Sequence, residues 1–60
     1  MKKAVAKVRA LYDYDATTAD ELSIKAGDVI VLVSDADSDW WQGEVNGITG
    51  TFPANYVERI

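Results

Sequence analysis

The side chains of this 60-residue chain that could do acid–base chemistry are its ten carboxylates, because the sequence contains no Cys and no His. Without those two residue types, thiol nucleophiles, Ser-His and Cys-His catalytic pairs, the usual zinc sites and disulfide bonds are excluded. A pair of carboxyl groups can act as general acid and base only when a buried cleft raises one pKa. Most of these acids lie in polar segments of a short chain, so we expect no enzyme and no cofactor or metal site.

A second group of side chains is suited to binding, and a hairpin turn brings two of them together. Asn46-Gly47 is the dipeptide that best tolerates positive φ at both central positions of a two-residue β-turn. The resulting register pairs Val45 with Ile48, Gly43 with Gly50, Trp41 with Phe52 and Trp40 with Pro53. The turn therefore predicts that an indole lies beside a proline ring.

Side-chain alternation divides the predicted hairpin into two faces. The core face carries Trp41, Val45, Ile48 and Phe52, with Gly43 opposite Gly50 leaving space that Phe52 could occupy. The other face carries Trp40, Gln42, Glu44, Thr49, Thr51 and Pro53. That face is polar except for Trp40 and Pro53, an apolar pair on a solvent-facing surface that favours a binding role.

The segments before the hairpin predict strands and loops. Residues 5–11 alternate as a first strand, with Val8 and Ala10 facing inward, and residues 15–21 form a long polar loop. Gly27 is expected to supply positive φ in the turn at 25–28. Residues 29–33 are five apolar β-formers, which favour a central strand covered on both sides with Ile30 and Leu32 in the core.

The remaining segments complete an all-β fold. An acidic loop occupies residues 34–39, a 3₁₀ turn is expected at 53–56, and a last short strand follows at 57–60. Five strands without an α-helix predict a small β-barrel, in which two sheets pack orthogonally. We expect one domain over residues 5–60 and a frayed tail over residues 1–4.

The charge is distributed unevenly along the chain. The net charge is −4, yet residues 1–9 carry four basic residues and no acid. Residues 10–60 therefore carry all ten acids and only two basic residues, Lys25 and Arg59. This distribution disfavours nucleic acid as a partner and favours a cationic one. Neither a signal peptide nor an apolar run long enough to cross a membrane is recognisable. We therefore expect a cytoplasmic monomer without a membrane partner.

Five motifs in fixed order resemble the Src-homology 3 (SH3) domain family. They are Ala10-Leu11-Tyr12-Asp13-Tyr14, Glu21-Leu22-Ser23-Ile24, Gly27-Asp28, Trp40-Trp41 and Gly50-Thr51-Phe52-Pro53-Ala54-Asn55-Tyr56-Val57. The resemblance covers residues 5–60. It implies a five-stranded SH3-type β-barrel and a non-catalytic adaptor of signalling or cytoskeletal assemblies, which binds proline-rich (PxxP) segments in the polyproline II form.

The resemblance also implies the site residues. A peptide-binding groove would consist of Tyr12, Tyr14, Trp40, Pro53, Asn55 and Tyr56. A specificity pocket for a ligand Arg or Lys would lie beside Trp40, with Glu21 as the main partner, Asp20 adjacent, and Asp37 and Asp39 adding negative charge from the other loop. Tyrosine hydroxyls, the Trp40 indole N–H and the Asn55 amide are expected to donate hydrogen bonds to ligand carbonyls.

Two positions depart from the family pattern, and they affect different predictions. Thr51 stands where many members have a large side chain against the groove Trp, which predicts a shallower or more open specificity pocket. Ile24 replaces the commoner Phe, which concerns core packing. An alternative function is a small β-barrel that binds another protein surface, of the histone-tail or ubiquitin type, through the same aromatic groove. Tyr56 counts against ubiquitin, because family members that bind it tend to have Phe there.

Overall fold

The computed structural model describes residues 6–60, and all regular structure in this range except one short turn is β-strand. The strands are β1 (Lys7–Ala10), β2 (Val29–Ser34), β3 (Trp40–Val45), β4 (Ile48–Pro53) and β5 (Val57–Arg59), with a 3₁₀ turn at Ala54–Tyr56. The predicted tail over residues 1–4 and the predicted domain start at Val5 lie outside the described residues. Within them, no helix has the length and apolarity needed to span a membrane.

The β3–β4 hairpin has the predicted turn and register. Asn46 and Gly47 adopt φ values of 54° and 81°, as a two-residue hairpin turn of this type requires. The ladder then pairs Trp41 with Phe52 and Trp40 with Pro53, through to Val45 with Ile48. The four pairs predicted from the Asn-Gly dipeptide are confirmed, within a ladder of six pairs. Gly27, with a φ of 95°, also has the predicted positive value.

All five strands belong to one antiparallel sheet in the order β4-β3-β2-β1-β5. Its edge strands nevertheless contribute to one core, since Phe52 of β4 and Val57 of β5 are buried in the same cluster. The sheet must therefore curl until its two ends cover a common interior. This gives the predicted five-stranded barrel, built from one continuous sheet where two packed sheets were expected. The core consists of Val8, Ala10, Leu22, Ile24, Ile30, Phe52 and Val57.

Two predictions about burial were wrong. Ile48 was assigned to the core face but is 61% exposed, because the β2–β3 ladder ends at the Val31–Glu44 pair and leaves the hairpin tip without a neighbouring strand. Strand β2 was expected to be covered on both sides, but Val29 and Val33 are exposed. An antiparallel sheet of this size packs only one face on its core and leaves the other in solvent.

Glycines at two facing positions of the hairpin allow close packing. A Cβ at Gly43 would lie 2.5 Å from Ile30 Cγ2 and 2.9 Å from Phe52 Cε2, so those two side chains fill the space. A Cβ at Gly50 would meet backbone instead, at 2.8 Å from the carbonyl carbon of Glu21 and 2.9 Å from Leu22 N. Gly50 therefore lets the long loop pack directly on β4.

Gly50→Ala is expected to destabilise the fold by about 1–3 kcal/mol, because a backbone contact cannot move aside as a side-chain end can. The strain would fall on the hydrogen bonds from Leu22 N to Thr51 O and from Thr51 N to Asp20 O, at 2.8 and 3.0 Å. Urea unfolding followed by circular dichroism measures the loss. Thr49→Ala, an exposed change on the same strand, is the control and should cost much less; equal costs for the two variants would contradict the packing argument.

Candidate functional site

Four aromatic side chains form a continuous row on the surface. The ring centroids of Tyr12 and Tyr56 are 5.5 Å apart, those of Tyr56 and Tyr14 are 5.7 Å apart, and those of Tyr14 and Trp40 are 6.0 Å apart. Interplanar angles of 72–85° make all three contacts edge-to-face, a favourable arrangement for aromatic rings. We call Tyr12, Tyr56, Tyr14 and Trp40 the aromatic row.

Backbone hydrogen bonds hold the elements that carry the row. Leu11 N donates to Tyr56 O at 2.7 Å, which joins the segment after β1 to the 3₁₀ turn. Tyr14 and Ile24 exchange both of their backbone hydrogen bonds, at 2.8 and 2.9 Å, across the base of the long loop. Trp40 is the first residue of β3. Each ring is thus attached to backbone that the sheet or an adjoining bridge fixes.

A cleft lies at the Trp40 end of the row, where Trp40 faces Pro53 across the ladder. Its lining consists of Ser38, Asp39, Trp40, Pro53 and Asn55. The hydrogen bond from Ala54 N to Asp39 O, at 2.8 Å, ties the acidic loop to the 3₁₀ turn beneath it. Trp40 is 40% exposed although it is a large apolar side chain. Ser38 was not predicted, since a serine in a polar loop carries no signal of its own.

Glu21 lies next to the aromatic row, but one of its oxygens is already engaged. Glu21 Oε1 accepts hydrogen bonds from Tyr14 OH at 2.7 Å, Thr17 N at 2.8 Å and Thr17 Oγ1 at 2.9 Å. The Tyr14 hydroxyl therefore donates its only proton to Glu21, and the predicted hydrogen bond from this hydroxyl to a ligand carbonyl would require that bond to break. Thr17 was missed, because its role depends on a loop conformation that residue types do not reveal.

The same network shifts two pKa values. The backbone hydrogen bond from Thr17, followed by that from the Tyr14 hydroxyl, lowers the pKa of Glu21 below its ordinary value. The hydrogen bond to Glu21, followed by desolvation, raises the pKa of Tyr14 above its ordinary value. Both shifts stabilise the pair as an ionised carboxylate and a protonated phenol. The site therefore keeps a negative charge beside Tyr14 of the aromatic row at neutral pH.

The lowered pKa of Glu21 predicts how stability depends on acid. Because the folded state holds the proton less tightly than the unfolded state, the stabilisation is fully present above about pH 4.5 and is lost as pH falls through the lower folded pKa. Urea midpoints measured between pH 7 and pH 2 test this for wild type and Glu21→Gln. The gap between the two proteins should narrow as pH falls through that window; a gap independent of pH would contradict it.

The acidic loop of residues 34–39 is anchored near both ends. Asp37 Oδ1 accepts hydrogen bonds from Asp39 N at 2.8 Å and from Trp40 N at 3.3 Å, so this carboxylate fixes the approach to β3. At the other end, Arg59 Nη2 pairs with Asp35 Oδ2 at 2.7 Å, and Arg59 Cζ lies 4.9 Å from the centre of the Trp41 ring. Asp37 thus has a structural role in addition to its charge.

The predicted acids approach the site from two loops. Asp20 and Glu21 belong to the long loop, which meets β4 at the Glu21–Thr51 bridge, whereas Asp37 and Asp39 belong to the loop before Trp40. The small Thr51 side chain contacts Asp20 O at 3.4 Å. The described residues contain no cluster of three or more possible metal ligands. The arrangement suits an organic cation beside an aromatic surface.

Comparison with known proteins extends this description. Residues 10–58 match the family described as a variant SH3 domain. The chain is 54% identical over 54 residues to myosin heavy chain IB of Acanthamoeba castellanii, and 53% identical over 55 residues to intersectin-2 of Mus musculus. These matches cover 90% and 92% of this chain but only 5% and 3% of the two relatives. The chain thus spans a small part of the length of its curated relatives.

Solved structures show the same similarity. The C-terminal SH3 domain of myosin IB from Entamoeba histolytica, bound to EhFP10(GEF) peptide, superposes with a TM-score of 0.93 at 44% identity, covering 98% of both chains. The Acanthamoeba myosin I SH3 domain bound to Acan125 gives a TM-score of 0.86 at 53% identity, covering 92% of this chain and 95% of that one. The chain belongs to the SH3 domain family and is a non-catalytic protein-interaction module.

Proposed function

We propose that this domain binds proline-rich peptides in the polyproline II conformation, with an Arg or Lys beside the prolines. The observation that carries the proposal is the aromatic row, which ends in a Trp that is 40% exposed beside Pro53. An exposed apolar surface of this kind costs free energy in water unless a partner covers it. The groove residues would be Tyr12, Tyr14, Trp40, Pro53, Asn55 and Tyr56.

The polyproline II helix matches such a surface geometrically. It has three residues per turn and no internal hydrogen bonds, so prolines recur along one side while the backbone carbonyls remain free. Proline rings would enter the slots between the rings of the row. The hydroxyls of Tyr12 and Tyr56, the Trp40 indole N–H and the Asn55 amide would donate to the carbonyls, with the Tyr14 hydroxyl held by Glu21.

The charge around Trp40 supports a basic residue in the ligand. Glu21 and Asp20 would meet its cation from the long loop, with Asp37 and Asp39 contributing from the other loop. Thr51 leaves more room there than a large side chain would. Two similar SH3 domains are bound to partners, EhFP10(GEF) peptide in one structure and Acan125 in the other. These complexes support a peptide or protein partner for the present chain.

The relatives also suggest a cellular setting. Myosin heavy chain IB and intersectin-2 contain the segments that match this chain. An adaptor function within a cytoplasmic signalling or cytoskeletal assembly is the setting that fits both. The domain would contribute a recognition module to such an assembly, and its partner would be a protein with an accessible proline-rich segment.

Titration of tryptophan fluorescence tests the proposal, because Trp40 would become covered by the ligand. A PxxP peptide with one Arg should bind with a Kd of roughly 1–10 µM, about −7 to −8 kcal/mol, as expected for an interface at the small end of the specific range. The same peptide with both prolines replaced by alanine is the control and should bind far more weakly. No fluorescence change at millimolar peptide, or equal binding of both peptides, would contradict the proposal.

A further inference from the structure

The two carboxylate oxygens of Glu21 are not equivalent. Oε1 accepts three hydrogen bonds, one from the Tyr14 hydroxyl and two from the backbone N–H and hydroxyl of Thr17. Within residues 6–60, Oε2 accepts no hydrogen bond, although the backbone N–H of Thr18 also lies near enough to this carboxylate to help lower its pKa. A carboxylate oxygen has two lone pairs, so three donors occupy Oε1 completely. Only Oε2 remains available to another molecule.

This difference affects how a cation can bind. The planar guanidinium of Arg gains its advantage over Lys by pairing two N–H groups with both oxygens of one carboxylate. At Glu21 that bidentate pairing would have to displace internal donors from Oε1. A single free oxygen instead offers a point contact, which the compact ammonium group of Lys satisfies as well as Arg does.

We propose that Glu21 recognises the basic residue of the ligand through Oε2 alone, and that Thr17 sets this specificity by occupying Oε1. Thr17 acts through Glu21 and is a positioning residue. Thr17 donates two of the three hydrogen bonds to Oε1. The one from its backbone N–H does not depend on the side chain at this position. The domain therefore accepts Lys and Arg nearly equally at this position. This inference rests on the proposed binding of proline-rich peptides.

The wild-type protein gives the first test, by isothermal titration with two PxxP peptides that differ only in having Arg or Lys. The two Kd values are expected to lie within about threefold of each other, because each base makes one contact with Oε2. Arg binding more than about tenfold tighter than Lys would overturn the proposal. If neither peptide binds at millimolar concentration, the proposed function itself fails, which is a different result.

Two double variants give the second test by changing the occupancy of Oε1. Tyr14→Phe with Thr17→Val removes both hydroxyl donors, whereas the control, Tyr14→Phe with Thr18→Val, leaves Thr17 intact. The ratio of the Lys-peptide Kd to the Arg-peptide Kd is expected to rise about threefold or more above the wild-type ratio in the first double variant. In the control the ratio should rise less. Any stacking of Arg on Trp40 is common to both variants and cancels.

Equal ratios in the two double variants would overturn the role of Thr17. A purely structural role for Thr17 would weaken both peptides by the same factor and leave the ratio unchanged, so the ratio separates positioning from stability. If the first double variant does not fold, the wild-type ratio still decides whether Glu21 makes one contact or two.

Discussion

Replacing Trp40 with alanine is expected to weaken binding of a PxxP-Arg peptide by at least about 30-fold, or about 2 kcal/mol, because an aromatic side chain at the centre of a small interface carries much of its free energy. Trp40 lies at the junction of the aromatic row and the cleft, and it contacts Tyr14 at a centroid distance of 6.0 Å. Since it is exposed rather than part of the core, the variant should remain folded.

Isothermal titration measures the affinity, and thermal unfolding confirms that the variant is folded. Ile48→Ala provides a matched control, since it truncates another exposed apolar side chain in the same hairpin, 61% exposed and at its opposite end. The control should bind the peptide like wild type. An unaltered affinity in Trp40→Ala, or an equal loss in both variants, would show that the aromatic row is not the binding surface.

Replacing Phe52 with alanine is expected to cost about 3–5 kcal/mol of unfolding free energy, through lost apolar burial and the cavity that remains. Phe52 is among the largest fully buried side chains and has no exposed surface. It also fills the space left by Gly43, so the surrounding residues cannot easily close around the cavity. A domain of this length has only about 3–9 kcal/mol in total, so much of the variant population should be unfolded at 37 °C.

Urea unfolding and near-ultraviolet circular dichroism test this expectation. Phe52→Leu keeps more of the apolar volume at the same position and should lose substantially less stability than Phe52→Ala. If alanine lowered the unfolding free energy by less than about 1 kcal/mol, the site would have collapsed to fill the cavity, and the assigned importance of Phe52 to the core would be wrong.

The most informative sequence signal was the Asn46-Gly47 dipeptide. Its turn type determines a two-residue loop, the loop determines the register, and the register brings Trp40 beside Pro53. The strand order and the packing of the sheet edges required more than local pattern and were not predicted; the family resemblance implied only the five-stranded barrel. Local turn chemistry and spaced motifs were therefore sufficient to predict most of the fold.

The wrong predictions concern properties that residue type does not determine. Ile48 and Val29 are β-forming apolar residues, and alternation alone could not show where the neighbouring strand ends or which face has no cover. Side-chain burial at a strand depends on the length of its partners. These lengths emerge only when the whole sheet is assembled.

The inequivalence of the Glu21 oxygens was also beyond sequence analysis. The carboxylate was predicted as a ligand partner from its motif, yet its contacts with Tyr14 and Thr17 arise from the path of the long loop. That path depends in turn on the close approach of the loop backbone to Gly50. A candidate binding residue can thus be found from a motif, whereas its remaining hydrogen-bonding capacity requires coordinates.

The most direct test of peptide binding by the aromatic row is nuclear magnetic resonance mapping of the domain titrated with a PxxP-Arg peptide. We expect the largest shift changes at Tyr12, Tyr14, Trp40, Asn55 and Tyr56, including the indole N–H of Trp40. Lys7 and Glu44, which flank Val31 in neighbouring strands, should change little. Shift changes centred on those strands, or none at millimolar peptide, would contradict it.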